Sequence, residues 1–197
     1  IGALAGDIVD IARARKLRPA IVNGWSLGGA VAVEAAHRLG KDAAGLILTC
    51  AASPRYVQAA DFPYGGVRED VLGMQDAILA DRAGFFKGLS AGVCAKDVGQ
   101  PAIDWMWSIF MDAGPQAIKA MLALADLDQR SILAGLDIPV LSIIGSEDGV
   151  VPPQIGEQAA ACAQHGKLAR FEGCGHAPFI EDGPGYIKTL LEFAQDV

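Results

Sequence analysis

A serine flanked by glycines lies between a short apolar run and a helical pattern. Apolar residues 20–22 precede the string Gly24-Trp25-Ser26-Leu27-Gly28, and the apolar periodicity of residues 30–39 follows it. A serine at so sharp a strand-to-helix turn adopts a strained, positive φ, which lifts its Oγ clear of the sheet edge. Glycines two positions away on either side make room for the turn. The pattern therefore predicts a nucleophile elbow, with Ser26 as the nucleophile.

A serine hydroxyl is a weak nucleophile, so it requires a histidine base and an orienting acid, which follow this kind of elbow in the order acid, histidine. Of the three histidines, His37 lies in the last turn of a helix and His165 at the end of the helical stretch 154–164. A histidine at such a position typically interacts with the negative end of the helix dipole. His176 lies in a glycine-rich loop after the strand-like residues 168–171, where α/β sheets hold their sites. We predict His176 as the base, with a structural loop histidine as the alternative.

The acid is expected in the loop after the clearest strand of the chain, residues 139–144. Asp148 has a short side chain beside Gly149, which makes it the more rigid partner for an imidazole N–H. Glu147 occupies the same turn and stays the alternative. Asp137 flanks the strand at its N-terminal end, the wrong rim of a parallel sheet for meeting the serine. We therefore predict Asp148 as the acid.

Four strings of the sequence together resemble the α/β-hydrolase family. They are residues 24–29, residues 51–54, the acid loop running into Val150-Val151-Pro152, and residues 176–180. Within that family the chain is similar to the pimeloyl-[acyl-carrier protein] methyl ester esterases of biotin synthesis. Related esterases, lactonases and cofactor-free haloperoxidases share most of these strings. The resemblance implies a serine ester hydrolase with an acyl-enzyme; the alternatives are a general short-chain esterase, lactonase or perhydrolase, and a hydrolase-like receptor with little turnover.

The resemblance also implies the fold class and the domains. We expect an α/β-hydrolase fold with a mostly parallel sheet, helices on both faces and a helical cap inserted into the core. The core comprises residues 1–53 and 137–197, and residues 54–136, which contain no convincing strand, form the cap. Helical patterns in the cap break at glycines, of which Gly84 is the first. Residues 102–111 are apolar nearly all round, so we expect them to be covered on more than one side.

The chain begins at Ile1 with a helical pattern that leads directly to the elbow strand. The hydrolase fold has further strands upstream, one of which pairs with the elbow strand, and natural proteins avoid a bare apolar edge. We therefore expect that the N-terminal strands are absent from this chain. The backbone N–H of Leu27 is the expected first donor of the oxyanion hole, and the second donor is expected upstream of Ile1.

An acyl pocket needs apolar walls, and aromatic side chains of the elbow and the cap are the candidates. We predict that Trp25, Phe85, Phe86 and Trp107 contact the substrate. Trp105 and Phe110 are further candidates, and packing of the cap against the core is the alternative for each of these aromatics.

The charge of the chain bears on a carrier-protein partner. Acyl-carrier proteins are acidic, so a partner needs a local basic face, yet the formal net charge here is -7. Residues 69–135 hold nine acidic against five basic side chains. The candidate docking bases are Arg82, Lys87 and Lys96, although this helix carries fewer arginines than in the resembled esterases. A solvated mixed-charge face is the alternative.

Composition limits the remaining classes. Hydrophobic residues make up 52% of the chain, without an apolar run suited to a membrane span. The four cysteines, which are Cys50, Cys94, Cys162 and Cys174, have neither C-x-x-C nor metal-ligand spacing. We expect a soluble protein of the reducing cytoplasm that acts on a small-molecule ester, with no metal, no cofactor and no nucleic-acid partner.

Overall fold

The computed structural model describes residues 1–197 and contains one parallel sheet of four strands in the order β1-β2-β3-β4. The strands are β1 (Ala20–Trp25), β2 (Ala43–Thr49), β3 (Pro139–Gly145) and β4 (His165–Phe171). The helices are α1 (Gly2–Ala14), α2 (Leu27–Leu39), α3 (Arg68–Ala80), α4 (Arg82–Gly92), α5 (Gln100–Asp112), α6 (Pro115–Ala123), α7 (Arg130–Ala134), α8 (Pro153–Cys162), α9 (Pro178–Glu181) and α10 (Gly183–Gln195).

The two central strands are buried on both faces, which is why they read as continuous apolar runs. Leu46 and Leu48 of β2 point into a core shared with α1, α2, α7 and α8, whereas Ile47 points to the opposite face, against α10. Helices therefore cover both faces of the sheet, as expected. β1 pairs only with β2 and β4 only with β3, so these two strands are the edges of this sheet.

The register aligns the carboxyl ends of the strands at one rim. Trp25 pairs with Thr49, and Gly145 pairs with Phe171, so the residues that follow these strands meet above the same edge. Parallel sheets place their functional loops at this rim. Ser26, the loop after β3 and the loop after β4 all begin there.

In chain order, helices α3 to α6 come between β2 and β3, and they form a layer over this rim. An apolar cluster joins the layer to the core, with Val71 and Leu124 on one side and Val151 and Ile155 on the other. The helical character of this insertion is as expected, and the exact boundaries at residues 54 and 136 stay a prediction.

Two expectations about the cap helices are wrong. Gly84 does not break a helix, because α4 begins at Arg82 with Asp81 as its N-cap, whose Oδ1 accepts a hydrogen bond from the Gly84 N–H at 2.8 Å. Helix α5 is not covered on more than one side either: Trp105 is 57% and Ile109 47% exposed. A single layer of helices has one face toward the core and one toward solvent, so apolar composition alone overestimates burial here.

The boundary between α8 and β4 also differs from the expected one. The helix ends at Cys162, and His165 is the first residue of β4, paired with Pro139, so the strand begins three residues before residue 168. Edge strand β4 is exposed along most of its length, which removes the alternation that marks strands in sequence. His165 lies 3.3 Å from Asp137 at the N-terminal rim, far in register from the functional loops.

No helix of the structure is both long and apolar enough to cross a bilayer.

Candidate active site

The elbow places Ser26 between β1 and α2 with φ 54° and ψ -125°. Its backbone is held on both sides: the N–H donates to the carbonyl of Thr49 at 3.1 Å, and the carbonyl accepts from Gly29 and Ala52, each at 2.9 Å. A positive φ is costly for a residue with a side chain and persists only where the surroundings impose it. Three backbone hydrogen bonds to two neighbouring segments supply that constraint.

The glycines of the elbow have different tasks. A Cβ on Gly24 would lie 2.2 Å from the carbonyl oxygen of Gly28, and a Cβ on Gly29 would lie 2.2 Å from the Cβ of Ala51. A Cβ on Gly28 would meet nothing within 4 Å. The steric requirement therefore falls on Gly24 and Gly29, where strand and helix approach closely, rather than on both glycines of the motif. Sequence reasoning missed Gly29, and the doubled glycine was the available signal.

Asp148 and His176 form a buried pair. The Nδ1 of His176 lies 2.8 Å from the Oδ2 of Asp148, and their side chains are 3% and 1% exposed. The other carboxylate oxygen, Oδ1, accepts hydrogen bonds from the N–H groups of Val150 at 2.8 Å and Val151 at 2.9 Å. A carboxylate that accepts the Nδ1 proton leaves Nε2 free to act as a base. Glu147 is exposed and has no contact with the imidazole.

The loop of His176 is held between the acid loop and the cap. The His176 N–H donates to the carbonyl of Val93 at 2.7 Å, and its carbonyl accepts from Nε1 of Trp25 at 2.7 Å. A Cβ on Gly175 would lie 2.6 Å from the backbone nitrogen of Ala95, and a Cβ on Gly145 would lie 1.9 Å from the Gly175 carbonyl oxygen. Glycines thus permit the close approach of three segments, and the cap reaches the histidine through main-chain atoms.

Ser26 and His176 open onto one cavity of about 270 Å³ beneath the cap. Seventeen of its nineteen lining residues are hydrophobic, so an apolar group of a ligand finds few polar partners there. The hydrogen bonds of the structure include the Asp148–His176 pair but none between Ser26 Oγ and the imidazole. Such a contact often forms only once a substrate is bound. The catalytic roles of the three residues stay predictions.

Three of the four predicted substrate-contacting residues line this cavity: Trp25, Phe85 and Phe86. Trp107 does not line this cavity: its Nε1 donates to the carbonyl of Ala83 at 3.1 Å and its ring lies under Lys87. Its contact with substrate stays a prediction. Phe110, three residues further along α5, lines the cavity instead. It stacks on Trp25 at a centroid distance of 6.3 Å.

Trp25 both walls the cavity and packs under the cap. Its ring lies 5.3 Å from that of His176 and 5.1 Å, edge to face, from that of Phe179. With its hydrogen bond to the His176 carbonyl, the indole fixes the wall on the histidine side of the cavity.

Cys50 lies below the acid–histidine pair and is the one group there that could bring in a metal. Its Sγ and the ligand atoms of Asp148 and His176 lie within 4.8 Å of one another. Burial, and then the charge of Asp148, raises the pKa of the Cys50 thiol far above its usual range. His176 and Asp148 already bond each other, which leaves Cys50 as the one ligand of the three outside that bond, too few for a metal site.

The first residue of α2 is Leu27, which also lines the cavity. The first backbone N–H groups of a helix have no acceptor within the helix and carry the positive end of its dipole. The Leu27 N–H therefore fits the predicted oxyanion donor. Its role, and the source of a second donor, stay predictions.

The three candidate docking bases all have partners within the chain. Arg82 donates to the carbonyls of Met111 and Ala113 and covers the ring of Phe86. Lys87 lies 5.8 Å from the centre of the Trp107 ring, and Nζ of Lys96 donates to Sγ of Cys174 at 3.2 Å. Arg82 caps the end of α5, so its charge serves the cap itself.

The parallel sheet, with a serine at a strand-to-helix turn and the acid and histidine loops at the same rim, has the architecture of a hydrolase fold. The sequence profile described as the alpha/beta hydrolase family matches residues 2–188. The chain belongs to the α/β-hydrolase family.

Its relatives include esterases. The chain is 34% identical over 183 residues to the pimeloyl-[acyl-carrier protein] methyl ester esterase of Aromatoleum aromaticum. This alignment covers 88% of this chain and 72% of that protein. The enzyme of the same name from Vibrio cholerae is 30% identical, covering 96% and 77%. The AB hydrolase superfamily protein YisY of Bacillus subtilis is 29% identical, covering 97% and 72%.

Solved structures of other proteins have the same fold as this chain. An esterase from Exiguobacterium antarcticum superposes with a TM-score of 0.92 at 27% identity, covering 97% of this chain and 72% of that one. A bromoperoxidase from Bacillus anthracis gives 0.89 at 22% identity, covering 97% and 72%, a likeness of fold alone. The expected fold class is confirmed, and the chain is an enzyme of the carboxylic ester hydrolase type.

Proposed function

We propose that this chain hydrolyses esters through an acyl-enzyme on Ser26. His176 Nε2 takes the proton from Ser26 Oγ as the oxygen attacks the ester carbonyl, and Asp148 holds the imidazole tautomer and stabilises its cation. The Leu27 N–H binds the oxyanion. The protonated imidazole then gives its proton to the departing alcohol, and a water activated by the same histidine releases the acid.

One observation carries this proposal. His176 shares an apolar cavity with a serine held at positive φ, and its Nδ1 lies 2.8 Å from Oδ2 of the buried Asp148 carboxylate. When the imidazole becomes positively charged beside this apolar cavity, it needs a carboxylate in a fixed position. The N–H groups of Val150 and Val151 donate to Asp148 Oδ1 and fix that carboxylate.

For the substrate, we propose the methyl ester of pimeloyl-[acyl-carrier protein], which would place the enzyme in biotin synthesis in the cytoplasm. The names of relatives at 30% and 34% identity support this choice. The apolar cavity also fits the methylene chain of such an acyl group.

A general short-chain esterase is the second candidate, and the contacts of the basic residues favour it. Arg82, Lys87 and Lys96 are engaged within the chain, and the cap is acidic in sum. A surface of this kind offers an acidic carrier protein little electrostatic steering.

Labelling tests the mechanism. A fluorophosphonate should modify wild type at Ser26, located by mass spectrometry, and Ser26→Ala should lose roughly 10³-fold or more in kcat on a chromogenic short-chain ester. Full activity in that variant, or an adduct elsewhere, would remove Ser26 from the nucleophile role. An absent adduct would favour a receptor with little turnover.

Salt dependence decides between the two substrates. If a carrier docks at the cap, kcat/KM on the carrier-bound methyl ester should exceed that on a free methyl ester at low salt and lose its advantage at about 1 M salt. Lys87→Glu should reproduce that loss, whereas Lys41→Glu, in the turn at the opposite rim, should not. Equal rates that ignore salt and both substitutions identify a general esterase.

A further inference from the structure

The carboxylate of Glu181, at the end of α9, accepts hydrogen bonds from four backbone N–H groups. Its Oε1 accepts from Ala95 at 2.8 Å, Lys96 at 2.9 Å and Gly175 at 2.9 Å. Its Oε2 accepts from Gly175 at 2.8 Å and Ala177 at 3.4 Å. Hydrogen bonds to an ionised carboxylate are stronger than those between neutral groups, so this is a firm junction.

The four donors belong to two different segments. Ala95 and Lys96 follow α4 in the cap, whereas Gly175 and Ala177 are the neighbours of His176 on either side. The N–H of His176 itself donates to Val93, in the same cap segment. The peptide units around the histidine and the adjoining part of the cap are therefore bound to one side chain.

Glu181 does not touch the reacting groups. It is absent from the walls of the cavity that Ser26 and His176 share, and it forms no ion pair. Its neighbour Asp182 caps α10 through the Gly185 N–H at 3.1 Å, which is a conventional helix cap within one segment. The bonds of Glu181 run instead to the histidine loop and to a segment more than 80 residues earlier in the chain.

We propose that Glu181 is a positioning residue, which sets the place of the His176 imidazole over Ser26 and couples that place to the docking of the cap. The proposal rests on the proposed function. Without the carboxylate, the N–H groups of Gly175 and Ala177 lose their acceptor, so the histidine loop can shift by up to about 1 Å. Displacements near 1 Å at a reacting group cost about 10²-fold in rate.

Two substitutions of Glu181 and one control test this role. Glu181→Ala removes both acceptors, whereas Glu181→Gln keeps one oxygen and turns an amide N–H₂ toward backbone donors. Glu172→Gln is the control, because that exposed side chain has a single ion-pair contact, at 3.9 Å to Arg170. Circular dichroism and thermal melting establish that each variant is folded.

We expect kcat on a chromogenic short-chain ester to fall by about 10²-fold in Glu181→Ala and by less in Glu181→Gln, with KM within about threefold of wild type. Glu172→Gln should match wild type. The rate of fluorophosphonate labelling should fall in parallel, while its endpoint stays at one adduct on Ser26.

Four results would overturn the proposal. A folded Glu181→Ala with unchanged kcat excludes a positioning role. A variant in which KM rises and kcat does not change excludes it too, because the carboxylate then positions only the cap and not the histidine. If Glu181→Ala does not fold, an unchanged kcat in Glu181→Gln has the same meaning. A wild type without an adduct on Ser26 removes the proposed function and this inference together, whereas an active wild type with unaffected variants removes this inference alone.

Discussion

The loops at the carboxyl rim of the sheet and the helices of the cap are held in different ways. At the rim, main-chain hydrogen bonds and glycine contacts fix each segment, as at Ser26 and Gly175. In the cap, α5 buries only Met106 and α6 only Ala120. Few buried side chains make a layer easier to deform. The proposed chemistry thus lies on the rigid region and the apolar pocket wall on the adaptable one.

The largest effect should come from the rim. Asp148→Asn keeps the shape of the side chain but offers the imidazole an amide, so the Nδ1 proton is no longer held and Nε2 is no longer a reliable base. We expect kcat to fall by about 10³ to 10⁴-fold with little change in KM. Glu147→Gln, one residue away and exposed, is the matched control and should retain activity. Similar losses in the two variants would contradict the choice of acid.

A smaller effect separates the two adjacent glycines of the elbow. Gly29→Ala brings a methyl group against Ala51 and should lower the free energy of unfolding by about 1–3 kcal/mol, the usual cost of overpacking. Gly28→Ala enters open space in the first turn of α2 and should be within about 1 kcal/mol of wild type. Urea unfolding measures both. Equal stabilities would mean that the elbow relaxes as readily as the cap.

The smallest effect concerns the cap. Phe110→Ala removes part of the cavity wall and should raise KM for a medium-chain ester by about tenfold, the scale of one lost apolar contact with a ligand. Trp105→Ala changes only the outer face of the same helix, so kcat and KM should stay at wild-type values. Steady-state kinetics on esters of increasing chain length compare the two. A larger effect of Trp105→Ala would place substrate on the outer surface.

Sequence reasoning predicted the geometry best where local pattern and backbone geometry coincide. The elbow around Ser26 is a strand, a turn and a helix in immediate succession, as predicted. Asp148 and His176 were chosen because they lie in the loops after β3 and β4, and the structure places their side chains in contact. The strands β2 and β3 were predicted from continuous apolar runs, which are typical of parallel strands buried on both faces.

What it missed depends on contacts between distant segments. Whether Trp107 or Phe110 of α5 faces the cavity is set by how α5 docks against α4 and the core, and both residues are equally apolar in sequence. The Val93 carbonyl meets the histidine loop from a distant cap segment, and the Glu181 carboxylate bonds both that segment and the loop. No periodicity records such a meeting.

The cap bonds the histidine loop directly through the Val93 carbonyl, and the Ala95 and Lys96 amides reach the loop by way of the Glu181 carboxylate. Every residue except proline carries these same main-chain groups, so these particular bonds do not depend on side-chain identity. The Val93 side chain packs with Ala177 and Lys96 Nζ donates to Cys174 Sγ, so side chains add to the junction at two of the three positions. Substitutions of wall residues outside this segment, such as Phe110, can therefore alter the pocket wall while these main-chain bonds stay in place. We expect single substitutions at such wall positions to change which ester is preferred without removing the main-chain bonds that hold the histidine loop.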